Sequence, residues 1–223
     1  MNDSTYKRGQ VEWALWCWQL NGRSGANDPP PRFLARVRKL LELDRKKEVL
    51  KSEVPHAPYA FLEKAPRGTG TDLELTLFDS VCLAVGLNML DFGFKQAEVV
   101  FFPRHIRPNL RQPFARALSD PYTRNRVFAH HAEHLPTYEE KGRKYADRAI
   151  FMIVTRVQSV AMIEEGTSLL SVPKFAFGRD KVRDQLAELG LRGGQAYVIE
   201  LAYLITFINE ALPAAPSRRR GRP

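Results

Sequence analysis

Cysteine is scarce in this chain, and long apolar runs are missing. Cys17 and Cys82 are the only two cysteines in 223 residues. Both fall within apolar helical patterns, which excludes a disulfide framework and predicts buried free thiols in a reducing compartment. The longest apolar runs, Val81 to Leu87 and Ala149 to Val154, are far too short to cross a bilayer. The opening Met1-Asn2-Asp3-Ser4-Thr5 lacks the charged and apolar regions of a secretory signal. There is no internal repeat, and no Ser-His-Asp or Cys-His spacing with any specificity. Gly190-Leu191-Arg192-Gly193-Gly194 is rich in glycine but follows a helical pattern, whereas phosphate-cradling loops follow a strand. It reads as a helix cap and turn. These absences predict a cytoplasmic protein that is not an enzyme, with no catalytic residues, cofactor, metal or membrane partner.

Positive charge is what the chain has in excess. Thirty-four Lys and Arg against 25 Asp and Glu give a formal net charge of +9. Such a balance favours polyanionic partners. Four of those charges, Arg218, Arg219, Arg220 and Arg222, lie in the last seven residues, so +5 remains on the rest. The distribution of charge along the elements therefore carries more information than the total.

Hydrophobic periodicity places the elements. Arg8 to Leu20 reads as a helix capped by Ser4 or Thr5, with Val11, Ala14, Leu15 and Trp18 on one face. Trp13 and Trp16 lie on adjacent faces. Base stacking by the three tryptophans is conceivable for a single-strand binder, but their apolar neighbours point to core packing. Asn21 to Pro31 is a loop. A second helix starts near Pro31, where proline suits the first turn. Its stripe is Phe33, Leu34, Val37, Leu40 and Leu41; Arg32, Lys39 and Lys46 project opposite, with Arg36 on the flank and Arg38 nearer the stripe.

Beyond it, Tyr59-Ala60-Phe61-Leu62 and Asp72 to Thr76 read as the two strands of a hairpin, with Pro66-Arg67-Gly68-Thr69-Gly70 near its turn. Thr76 and Asp79 form a capping box for a third helix from Leu77 to Phe92. Gly93 stops that helix. A fourth opens at Lys95, and Pro103 is expected to kink or end it.

Residues 119–144 are polar and aperiodic and read as a linker. Ala149 to Val160 and Pro173 to Phe177 read as strands, Arg179 to Leu189 as a helix, and Gln195 to Leu212 as one long apolar helix. Residues 213–223 read as a disordered basic tail. The expected fold class is mainly α with minor β: a winged helix-turn-helix over residues 5–118 and a small C-terminal α/β unit over 145–212.

The entry Thr5-Tyr6-Lys7-Arg8-Gly9-Gln10-Val11, the strand-to-helix passage Thr71 to Asp79 and the break Leu90-Asp91-Phe92-Gly93-Phe94-Lys95-Gln96-Ala97-Glu98 together resemble a MerR-type winged helix-turn-helix. The resemblance covers about residues 5–110. It implies a DNA-binding regulator whose recognition helix begins near residue 31. A homodimer pairing two such helices on a palindromic site is expected, with the apolar C-terminal helix as its interface.

The residues expected to meet DNA are Arg32, Arg36, Arg38, Lys39 and Lys46 on the second helix, Lys64 and Arg67 at the wing, and Arg104, Arg107 and Arg111 beyond it. Arginine can donate two hydrogen bonds to guanine, while both cations neutralise phosphates. Duplex DNA is thus the expected partner and the nucleoid the expected location. The segment beyond residue 120 is mixed in pattern, so no small-molecule effector is implied. Two other readings suit a basic winged helix: a protein–protein adaptor, and an RNA or single-strand binder. His130, His131 and His134 approach metal-ligand spacing, but their polar, aperiodic setting marks a surface cluster.

Overall fold

The computed structural model describes residues 4–20, 28–46, 58–64, 73–120, 149–157, 169–170, 173–190 and 195–216. Residues 121–144 of the expected linker, the histidine cluster, Arg67 with its turn, and residues 217–223 of the expected tail lie outside the described residues, whereas Ser119 ends a helix that begins at Gln96, and Pro213 and Ala214, expected to be disordered, close a helix that begins at Leu201. The fold is mainly helical, with two small sheets. Two compact units divide within helices, between Asn109 and Leu110 and again between Thr206 and Phe207.

The first unit opens with β1 (Thr5–Lys7), which runs directly into α1 (Arg8–Gln19). Ser4 and Thr5 therefore do not cap α1. Thr5 is taken up by a strand, and the cap is at Lys7, whose N–H is accepted by Gln10 Oε1 at 3.1 Å. The partner of β1 is β2 (Glu74–Thr76), antiparallel, with Tyr6 opposite Leu75. The expected pairing of residues 59–62 with 72–76 is thus overturned, because β2 pairs with β1 instead. No strand forms over residues 58–64. What holds that segment is a set of buried side chains, not a ladder.

α2 (Pro31–Arg45) starts with Pro31 in its first turn, where the missing N–H costs nothing. It buries Phe33, Val37, Leu40 and Leu41. α3 (Leu77–Asp91) is the centre of this unit, buried continuously from Phe78 to Leu87. Its predicted capping box is present: Thr76 Oγ1 accepts the Asp79 N–H at 3.1 Å, and Asp79 Oδ2 accepts the Thr76 N–H at 3.0 Å. α1, α2 and α3 all pack on one another. Phe61, fully buried, reaches so close to Gly86 that a Cβ there would lie 2.7 Å from its ring. Glycine at 86 is what lets the 58–64 segment lie against α3. Gly93, at φ +85°, ends the α3 region in a conformation that other residues adopt only at a cost.

α4 (Gln96–Ser119) continues through Pro103, Pro108 and Pro113. The helix does not end at Pro103. Each interior proline costs about 3 kcal/mol of helix stability. Against that stands an extensive buried surface: Val99, Val100, Phe102, Ile106, Leu110, Phe114 and Ala117. Tertiary burial outweighs local propensity here.

In the second unit β3 (Ile150–Val157) is the central strand. One of its edges carries β4 (Leu169–Leu170) and β5 (Lys174–Phe177), and the other carries β6 (Gln195–Glu200), all antiparallel. α5 (Arg179–Gly190) packs on β5 and β6. β6 corrects the expectation of one helix from Gln195 to Leu212. Ala196 to Ile199 pair with Thr155 to Met152, and only then does α6 (Leu201–Ala214) begin. Glu200 makes the change of element. Its carboxylate accepts the N–H groups of Ala202 at 3.0 Å and Tyr203 at 2.7 Å, satisfying donors that the first turn leaves open. Burial, then the neighbouring Glu200, raises the Tyr203 pKa above its ordinary value, so the phenol stays neutral.

Candidate nucleic-acid interface

The amphipathic pattern of α2 sorts its charges by side. Its apolar stripe turns inward, which leaves Arg32, Arg38, Lys39, Arg45 and the following Lys46 exposed. Arg32, Arg36, Lys39 and Lys46 recur at helical spacing and form one stripe, while Arg38 and Arg45 lie about a third of a turn away on another flank. Arg38 is exposed despite lying near the apolar stripe in sequence. None of the five exposed cations makes an ion pair with another described residue.

The two acids of this helical stretch behave differently. Glu42 is exposed, but Asp44 is fully buried and turned away from the cationic face. Burying Asp44 removes one of the two negative charges that would offset the surface, so the outward side of α2 is more basic than its sequence.

Arg36 is half-buried and engaged. Its Nη2 donates to Asp91 Oδ1 at the end of α3. Gln19 Nε2, at the end of α1, donates to Asp91 Oδ2 at 3.1 Å. Nothing local in the sequence marks this triad, in which Arg36 and Gln19 lie 55 and 72 residues before Asp91.

Arg104 and Arg107 belong to the interior, which removes them from the set of DNA-binding candidates. Each is 5% exposed. Arg104 donates through Nε at 3.2 Å and through Nη2 at 3.0 Å to Asp44 Oδ1, and through Nη2 at 2.6 Å to the Asp44 carbonyl. The same Asp44 carboxylate accepts the N–H groups of Ala60 at 2.8 Å and Phe61 at 2.9 Å. Arg107 donates through Nη1 to the Ala60 carbonyl at 3.0 Å and through Nη2 to Asp79 Oδ1, and its guanidinium lies over the Phe78 ring. A charge taken out of water must be matched inside, and Asp44 and Asp79 do this. Burial by itself depresses the Arg107 pKa. The nearby Cys82, Asp79 and Glu63 outweigh it, and the net shift is upward, so the side chain remains charged. Together these two pairs fasten residues 60 and 61 to α2, α3 and α4. That makes them the reason the segment needs no strand partner.

Of the remaining candidates, Lys64 is exposed at the end of the described 58–64 segment, and Arg67 is outside the described residues. Arg111 is exposed and falls in the second unit. Arg116 of that unit lies over the Phe177 ring, 4.4 Å from its centre. The tryptophans Trp13, Trp16 and Trp18 are all half-buried, and Trp16 meets Phe33 of α2 with ring centres 5.3 Å apart. Both cysteines are buried free thiols, and burial raises the Cys17 pKa above its ordinary value. Among the described residues no group of His, Cys, Asp or Glu could hold a metal ion. Within them, too, no helix is long and apolar enough to cross a membrane.

No family model matches the chain, and no curated protein matches it.

Proposed function

We propose that the chain is a DNA-binding transcriptional regulator that docks the outward side of α2 on duplex DNA. One observation carries the reading: Arg32, Arg38, Lys39, Arg45 and Lys46 are exposed on a single helix and make no ion pair with another described residue. A 15-residue helix is about 22 Å long, and an α-helix fits the major groove of B-DNA. Cations on its outward side release condensed counterions from the phosphates. Arg32, Arg36, Lys39 and Lys46 share one stripe along the helix, a form suited to a linear polyanion. The MerR-like order of the sequence gives this helix the recognition position, and a homodimer would present two copies to a palindromic site.

Fluorescence anisotropy with a labelled duplex, titrated across a series of salt concentrations, tests the reading. The full chain should bind with an affinity that falls steeply as salt rises. Replacing Arg32 and Lys39 together by alanine should lower the slope of log affinity against log salt by about 2, since each lost phosphate contact removes about 0.9. Binding that ignores salt, or that is unchanged by the double replacement, overturns the assignment of α2.

A further inference from the structure

We infer that Arg36 reads guanine in the major groove, and that Asp91 is the positioning residue that aims it, with Gln19 holding Asp91 in turn. The inference rests on the duplex-DNA reading of α2 and goes beyond it by dividing the helix into cations that hold phosphates and one that reads a base.

The geometry separates Arg36 from its neighbours. Arg32 and Lys39, one turn to either side, have no ion-pair partner among the described residues. They are exposed, untethered charges suited to phosphates, which need neutralisation more than aim. Arg36 shares their stripe but is tethered by one nitrogen, Nη2, to Asp91 Oδ1. A guanidinium carries five N–H donors in a rigid fork. Fixing one corner of the fork restricts its rotamers and leaves other donors available. Recognition of guanine O6 and N7 needs two parallel N–H groups in a set orientation, so restriction before binding favours it.

Asp91 is itself in an unfavourable place for an acid. It is the last residue of α3, where the helix dipole is negative. A carboxylate there gains nothing from its own helix and depends on its partners. Both of its oxygens are used by the other two helices: Oδ1 by Arg36 of α2 and Oδ2 by Gln19 of α1. Gln19 thereby limits rotation of the carboxylate, and the orientation of Arg36 follows from the packing of three helices.

A simple strap would behave differently. If Asp91 only neutralised Arg36, removing it would liberate a positive charge on the DNA-facing side. Affinity for every duplex would rise and the salt slope would steepen.

The test begins by enriching a duplex from a library with a randomised centre, using the full chain. Affinities are then measured for that duplex, for versions with each guanine replaced by adenine, and for versions carrying 7-deazaguanine, which lacks the N7 acceptor. The wild type should lose about 10-fold at one guanine, within the range of a single bidentate contact. Arg36→Ala should abolish that discrimination. Asp91→Ala should lower it several-fold with the salt slope unchanged, and Gln19→Ala should act in the same direction more weakly. Thermal melting checks that each variant folds; if Asp91→Ala does not, Asp91→Asn and Gln19→Ala decide.

Discrimination unchanged by these substitutions overturns the inference while leaving the DNA-binding reading intact. A general rise in affinity with Asp91→Ala does the same. Absence of any salt-dependent duplex binding by the wild type overturns both.

Discussion

α2 carries four arginines and the first half of α4 two, yet the two helices use them in opposite ways. On α2 the cations other than Arg36 face water, and Arg32 and Arg38 make no ion pair with another described residue. On α4, Arg104 and Arg107 are buried against Asp44 and Asp79. Arginine content alone therefore says little about a nucleic-acid surface. What decides is whether a buried carboxylate elsewhere in the chain claims the guanidinium. Here Asp44 does two things at once. By pairing with Arg104 it anchors α4, and by leaving the surface of α2 it makes that surface more basic.

The largest effect expected from breaking this contrast comes at Asp44. Asp44→Ala leaves Arg104 as an uncompensated buried charge and the Ala60 and Phe61 N–H groups without their acceptor. Chemical denaturation should show a loss of about 3–5 kcal/mol. Replacing Asp44 by Leu and Arg104 by Met together should recover much of that loss, since an apolar pair leaves no stranded charge. A double variant as unstable as Asp44→Ala would mean that the backbone hydrogen bonds, not the ion pair, dominate.

A smaller effect is expected at Arg107→Lys, which keeps the charge. Arg107 reaches the Ala60 carbonyl and Asp79 through separate nitrogens of a planar fork, and a single ammonium cannot reproduce both contacts. The same denaturation measurement should show a loss of about 1–3 kcal/mol. No loss would show that charge alone matters at this position.

The smallest effect on folding is expected on the other side of the comparison. Lys39→Ala should change stability by no more than about 0.5 kcal/mol, since the side chain is exposed and makes no ion pair with another described residue. A loss as large as that of Arg107→Lys would place Lys39 with the structural cations and dissolve the distinction between the two helices.

How much of this was legible beforehand depends on the range of the signal. Thr76 and Asp79 lie three residues apart, and their mutual capping could be read directly. The stripe of Phe33, Val37, Leu40 and Leu41 likewise located the buried side of α2 and hence its cationic side. An end of α4 at Pro103 does not follow, because a local rule meets a helix that burial sustains. Residues 59–62 misled for a related reason: apolar residues between turn signals look like a strand, and the acceptor that holds them is Asp44, on another element. Gln195 to Leu212 reads as one apolar helix because hydrophobicity alone does not distinguish a buried strand from a buried helix. The partner strand, with Ile199 opposite Met152, makes that distinction.

By itself the amino-acid order determined the capping box of α3, the faces of α1, α2 and α3, the scarcity of thiols and the surplus of positive charge, because each depends on composition or on residues within a turn or two of one another. Only the tertiary structure decided which arginines are outside and which are inside, that β1 pairs with β2, and that Arg36, Asp91 and Gln19 meet. Those outcomes depend on carboxylates and backbone groups brought together from distant parts of the chain. A charge keeps its place in water or gives it up according to the partner that folding delivers.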